Sequence, residues 1–255
     1  DVFTNILVLD TGAKKFDKAI KRCNAQLKVV KDSDNAQAVV HNLKGGIYLA
    51  QQKPKEAIKS FETALEKNPN MMRASYALAR AYLANKQDKE AVDRYKAIIE
   101  KTPNQPNAHM LLGTLYDMQK KADIAEQHYR KALEIDKNFA PAANNLAYLL
   151  AEKGELNVAL KYAHLAKGIL PDDPGVMDTL GWIYYKKGMY PRAIMEFEDS
   201  LKKLPQNAIV HYHLGLTHYT NGNGPLAKKS FKKALELDEN FDGADEAKRM
   251  LSELI

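Results

Sequence analysis

Apolar positions recur along this chain on two scales. On the short scale they fall three and four residues apart, which is one face of an α-helix. On the long scale the whole pattern returns every 34 residues. Leu180-Gly181 is echoed ahead by Leu214-Gly215, and behind by Leu146-Ala147, Leu112-Gly113, Leu78-Ala79 and Lys44-Gly45. No insertion breaks the register, so six units run 38–71, 72–105, 106–139, 140–173, 174–207 and 208–241. In the first half of a unit the apolar face follows a 0, 3, 4, 7 spacing, as in Met177, Leu180, Gly181 and Tyr184. In the second half, Ala57, Ala91, Ala125, Ala159, Ala193 and Ala227 share one place. Four residues on stand Phe61, Tyr95, Tyr129, Ala163, Phe197 and Phe231. Three further on stand Ala64, Ile98, Ala132, Ala166, Ser200 and Ala234.

Turn chemistry separates these faces. Gly154, Gly188 and Gly222 lie between the halves of their units, where a chain leaving a helix needs a residue tolerant of positive φ. Pro69, Pro103, Pro171 and Pro205 share a register at the unit ends, and Asp173-Pro174 reads as an N-cap and first helical residue. Each unit is therefore expected to be two antiparallel helices. One pair cannot bury its apolar face alone, but stacked pairs make a continuous core, a solenoid.

The period and the W-x₂-L-G-x₂-Y … A-x₃-F … P pattern resemble the tetratricopeptide repeat family over almost the whole chain. Lys44 stands where Leu is expected, Leu150 and His218 replace the Tyr, and Ala163 replaces the aromatic. Trp182 follows the family's Gly by one place and is not at the family's Trp position. The resemblance implies an all-α, right-handed superhelical solenoid, here a single array over 1–255. Residues 1–37 read as an irregular N-terminal unit, and 242–255 as an amphipathic capping helix with Ala247, Met250, Leu251 and Leu254 on one side. The start, DVFTNILVLD, reads as the interior of a longer or processed chain. Val2, Phe3, Ile6 and Leu7 then form an uncapped apolar edge, onto which upstream repeats or another copy would pack.

Composition narrows the classes. No apolar run reaches about 18 residues, so no segment is expected to cross a bilayer as a helix. The formal net charge is +6, with lysines scattered among acids, and no nucleic-acid partner is expected. Cys23 is the only cysteine, which removes an intramolecular disulfide and any Cys-cluster metal site. His211, His213 and His218 lie close in sequence, but no acid or cysteine completes a ligand set at helical spacing. They read as packing or solvated histidines. There is no Ser nucleophile elbow, no H-E-x-x-H and no glycine-rich phosphate loop. The expectation is a non-enzyme without cofactor or metal.

In tetratricopeptide arrays the first helix of each pair lines the concave face. On this chain that implies positions two, five, six, nine, twelve and thirteen of each unit. Early units then offer Asn42, Arg73, Tyr76 and Arg80, and the third offers Asn107, Met110, Thr114 and Asp117. Later units offer Asn144, Asn145, Tyr148, Asp178, Thr179, Trp182, Tyr185, Lys186, Tyr212, His213 and Tyr219. Aromatics supply contact area at low entropic cost, and amides pair with peptide backbone. Trp182 and Tyr185 either anchor a ligand or pack on neighbouring helices, and the anchor preference of aromatics favours the first. The expected partner-binding set is Asn144, Asn145, Tyr148, Asp178, Trp182, Tyr185, Lys186, Tyr212, His213 and Tyr219, with Arg73, Tyr76 and Arg80 as a second patch.

The expected function is a scaffold holding a partner protein or peptide in the groove. The Lys, Asn, Asn, Lys, Arg clamp by which some family members hold chaperone tails is not reproduced in any three successive units. Two rivals stand beside the scaffold reading: a regulatory or substrate-recruiting region of a larger enzyme, and self-assembly through the N-terminal edge. The run NNLAYLLAEKG, followed by LPDDPGVMDTLGWIYYKKGMYPRAI, is similar to paired units of bacterial envelope tetratricopeptide proteins. These include lipoproteins that accompany polysaccharide export and protein sorting. That similarity implies a periplasmic scaffold, tethered by a segment outside this chain.

Overall fold

The computed structural model describes residues 2–254. Fifteen α-helices and no strand occur among them. They are α1 (Val2–Gly12), α2 (Phe16–Val29), α3 (Asp34–Ala50), α4 (Pro54–Lys67), α5 (Met72–Ala84), α6 (Asp88–Lys101), α7 (Pro106–Met118) and α8 (Ala122–Ile135). They continue as α9 (Ala140–Glu152), α10 (Leu156–Ile169), α11 (Pro174–Lys186), α12 (Tyr190–Lys203), α13 (Ala208–Thr220), α14 (Gly224–Leu237) and α15 (Ala244–Glu253). Contacts divide the chain into two compact units, residues 1–115 and 116–255, with the division inside α7. Helices α3, α5, α9, α11 and α13 each pack against the even-numbered helix that follows, and α3 with α5, and α9 with α11 and α13, lie side by side as an inner layer of their unit.

One contact recurs between paired helices. The eighth residue of a unit, on the inner helix, meets the twenty-fourth, on the outer helix. A Cβ added at Gly45, Gly181 or Gly215 would lie 2.5, 2.7 or 2.6 Å from the ring of Phe61, Phe197 or Phe231. Those rings are 0–1% exposed, and burial of each is worth roughly 2 kcal/mol. In 140–173, where Ala163 replaces the ring, the eighth residue is Ala147, and both are fully buried. The register alanines Ala57, Ala91, Ala125, Ala159, Ala193 and Ala227 are all 0% exposed. Ser200, the one polar residue three places after the rings, is also buried, and its hydroxyl donates to the Pro174 carbonyl at 2.8 Å.

The turns follow the register more closely than the glycines do. Gly154, Gly188 and Gly222 have φ of +83°, +70° and +78°. Gln52, Lys86 and Lys120, at the same place in the first three units, take the same left-handed conformation with φ of 59°. A side chain there is strained, and tertiary packing holds it. Asp173 caps α11 by accepting from the amides of Gly175 and Val176, and Asn207 does the same for α13.

The ends differ from the middle. Ser33 caps α3 four residues upstream of the unit's register, because the KDSDNAQA segment extends that helix by a turn. Lys44 replaces the register Leu because its ammonium reaches the Asn24 side-chain oxygen at 2.8 Å and lies 5.9 Å from the Tyr48 ring centre. Leu7 is buried against Ala19, Cys23, Val40 and Ile47, whereas Val2, Val8 and Leu9 are exposed. Burial pushes the Cys23 thiol up to about 11. At the other end α15 lays Ala247, Met250, Leu251 and Leu254 against a cluster built on Tyr212, Phe231 and Phe241.

Two substitutions test this frame by urea denaturation. Gly181→Ala drives a methyl into Phe197 and lowers stability by about 1–3 kcal/mol, with partial recovery when Phe197→Leu is added. Lys86→Gly relieves a left-handed side chain and raises stability by about 0.5–1 kcal/mol. An unchanged midpoint for Gly181→Ala would show that the helices can part without cost.

Candidate functional site

The inner layer of residues 116–255 is made of α9, α11, α13 and α15. Its centre is Trp182, the only tryptophan in the chain. The indole is stacked between two rings, His213 at 4.4 Å between centroids and Tyr185 at 5.1 Å. Its Nε1 donates to Glu152 Oε1 at 2.6 Å. The same carboxylate oxygen takes the Lys186 ammonium at 3.0 Å, and that ammonium lies 5.3 Å from the indole centre. His213 Nδ1 is 2.8 Å from Asp178 Oδ1. Three inner helices, α9, α11 and α13, are thus joined side chain to side chain.

A second set of contacts joins α13 to α15. The Tyr212 hydroxyl donates to Glu246 at 2.6 Å, and the Tyr219 hydroxyl donates to Glu253 at 2.9 Å. The Tyr212 ring packs on Phe241 at 5.3 Å, and a Cβ at Gly243 would meet that ring at 2.6 Å. Gly243 has φ of 104°, so glycine there meets both a backbone and a space requirement. Burial raises the Tyr212 phenol pKa, and the bond to Glu246 raises it further. The bond to Glu253 raises that of Tyr219.

The face is electrostatically one-sided. Tyr148, 40% exposed, has its phenol pushed up to about 12 by burial and then by the carboxylates of Glu152, Asp178, Asp242 and Asp117. Burial also raises the Asp117 carboxyl pKa; Lys120 opposes the rise and Glu152 adds to it. Lys186, bound to Glu152, is a cation within this acidic field.

The expected residues fall into three groups. Tyr148 is exposed, and Asn144, Asn145, Asp178, Trp182, Tyr185, Lys186 and Tyr219 are half-buried. Tyr212 and His213 are buried, each 6% exposed, and back the others rather than presenting themselves. The Asn144 side-chain oxygen is buried without a partner. In residues 1–115, Arg73 and Arg80 are exposed, and Tyr76 is half-buried with its ring 6.2 Å from that of Tyr95. Burial raises the Tyr76 phenol pKa.

Sequence reasoning missed Glu152, Asp242, Glu246 and Glu253. The register could have found three of them. Glu152 holds the thirteenth position, the one Lys186 holds in the next unit. Glu246 and Glu253 stand 34 residues after Tyr212 and Tyr219, so α15 continues the register of the inner helices.

The histidines are spoken for by packing. His211 Nε2 is 3.0 Å from the Pro205 carbonyl, and the His218 Nδ1 is buried without a partner. Among the described residues no group of three His, Cys, Asp or Glu is placed to hold a metal, and no helix is long and apolar enough to cross a membrane.

Comparison with known proteins agrees with this architecture. Models of the tetratricopeptide repeat match residues 48–115, 106–139, 128–161 and 208–241, and a TPR repeat model matches 181–222. The chain belongs to the tetratricopeptide repeat family. No curated protein sequence matches it. A chain of the APC/C hetero-tetramer Cut9–Hcn1 has a TM-score of 0.80 at 18% identity. That match covers 100% of this chain and 49% of the other, so this chain spans about half its length. A tetratricopeptide repeat protein from Parabacteroides merdae has a TM-score of 0.72 at 19% identity, covering 100% of this chain and 99% of that one. YrrB, a TPR protein with an unusual peptide-binding site, has a TM-score of 0.54 at 20% identity, covering 75% and 99%. At these identities the likeness is one of fold.

Buried His218 and half-buried His41 carry a pH prediction. Burial lowers the pKa of His218, and burial with Lys44 and Lys67 lowers that of His41. The unfolded chain therefore takes up protons first as pH falls below about 6.5. Stability is fully present above that pH and declines below it. Urea midpoints should drop between pH 7.5 and 5.5, and His218→Gln should flatten the drop. An equally steep drop in that variant would remove His218 from the account.

Proposed function

We propose that this chain is a non-catalytic scaffold that holds a segment of a partner protein on the concave face formed by α9, α11 and α13, and that the segment is basic. The observation that carries this is Tyr148, an exposed ring in the combined field of four carboxylates, on the helix whose Glu152 binds the stacked Trp182. Lysine or arginine side chains gain twice on such a surface, from the carboxylates and from the aromatic faces. Most of the aromatic ladder is already braced by its neighbours, so little side-chain freedom is lost on binding. The YrrB comparison supports the peptide-binding reading by analogy of fold.

Because Trp182 is the sole indole, its fluorescence reports on the site directly. Titration with lysine- and arginine-rich peptides should shift its emission, and affinity should fall with added salt. Tyr148→Ala and Glu152→Gln should each weaken binding by about tenfold while the circular dichroism stays unchanged. If acidic or neutral peptides bind as well as basic ones, the charge selection is wrong. If no peptide class binds by fluorescence or calorimetry, the groove reading itself fails.

A further inference from the structure

The turns that join α12 to α13 and α14 to α15 share a cleft of about 460 Å³. Leu204, Ile209, Leu237 and Phe241 wall it, and Asp238 and Asp242 stand beside them. Leu204 and Ile209 are 47% and 41% exposed, so the apolar wall is open to water. No basic side chain lines the cleft. The lysines of α14 face elsewhere: Lys229, Lys232 and Lys233 line a hollow with His218, and Lys228 lines another with Leu251. Lys203, next to Leu204 in sequence, is paired with Asp172 at 2.8 Å. The N-termini of α13 and α15 and the C-termini of α12 and α14 meet at the cleft, so the helix dipoles offset one another. Asp238 accepts from the Asn240 amide at 2.9 Å. Both it and Asp242 are exposed and make no ion pair among the described residues. The charge at the cleft is therefore that of two free carboxylates.

The cleft is also continuous with the aromatic face. Phe241 packs on Tyr212 at 5.3 Å, Tyr212 on His213 at 5.8 Å, and His213 on Trp182 at 4.4 Å. About five extended residues span three such steps. Asp242 is among the carboxylates that raise the Tyr148 phenol. Its walls include nothing beyond Asp242, and α15 leads away from it for ten residues, about 15 Å. We propose that this cleft is a second subsite for the partner segment: the segment carries a bulky apolar residue, with a lysine or arginine beside it, about five positions from the base held at the Trp182 face. The apolar side chain fills the space between Leu204 and Ile209, and the adjacent base pairs with Asp238 and Asp242. The inference rests on the basic-segment reading of the groove and narrows it from charge alone to charge with an apolar anchor. An acidic segment would set like charges together here, and an uncharged one would cover the carboxylates without pairing them.

The test is calorimetry of the whole chain with designed peptides. Each peptide has two lysine clusters about five residues apart, made in both sequence directions, with either leucine or serine beside one cluster. Wild type should bind the leucine peptide about tenfold tighter than the serine peptide in at least one direction. Leu204→Ser and Ile209→Ser change exposed side chains, so circular dichroism should be unaltered. Each should reduce the leucine gain at least threefold and leave the affinity for the serine peptide unchanged. Glutamate in place of the lysine beside leucine should cost about tenfold in wild type, and less in Asp238→Asn/Asp242→Asn. Tyr148→Ala should weaken both peptides alike. Equal affinity of wild type for the leucine and serine peptides overturns the subsite and leaves the groove reading in place, provided that both peptides shift the Trp182 emission. A leucine gain undiminished in Leu204→Ser and Ile209→Ser overturns it too. If wild type binds neither peptide, the subsite and the groove reading fall together.

Discussion

The contact on which everything else depends is the one between a small residue on an inner helix and a ring on the outer helix that follows it. Gly181 against Phe197 sets how close α11 and α12 lie, and Gly45 against Phe61 and Gly215 against Phe231 do the same for their pairs. This closeness lets each unit take the same spacing and pass it to its neighbour. With the spacing uniform, side chains at given register positions meet across units. The bonds that build the aromatic face, Trp182 to Glu152, Asp178 to His213 and Tyr212 to Glu246, span 30, 35 and 34 residues. They are consequences of the packing rule rather than separate inventions.

The fold was almost wholly legible in the sequence because it is periodic. One comparison at 34 residues aligns the recurring apolar positions of the six regular units. The less legible parts are those where the period is obeyed without its usual residue. Nothing in Gln52, Lys86 or Lys120 announces a left-handed backbone; only their alignment with three glycines does. Lys44 reads as a fault in the core, and only the Asn24 and Tyr48 partners show how a long cationic side chain is accommodated there.

The candidate site was half legible. The register names which residues face inward, but exposure depends on how far neighbouring helices cover them. Tyr212 and His213 share the register of surface positions, yet α15 and Trp182 close over them. The acidic character was hidden for another reason. It comes from side chains on different helices, and their proximity exists only in three dimensions. Counting charges over the whole chain averaged it away.

The unbroken register also bears on how such a chain can change. Because every specific contact described here reaches no further than the neighbouring unit, removal or duplication of a 34-residue block re-creates the junction it disturbs. The inner-helix surface can then lengthen in whole steps, by unequal recombination, with no new interface to invent. An insertion of any other length would leave two helices facing the wrong partners. The invariance of the spacing is thus a constraint on the gene as much as on the protein.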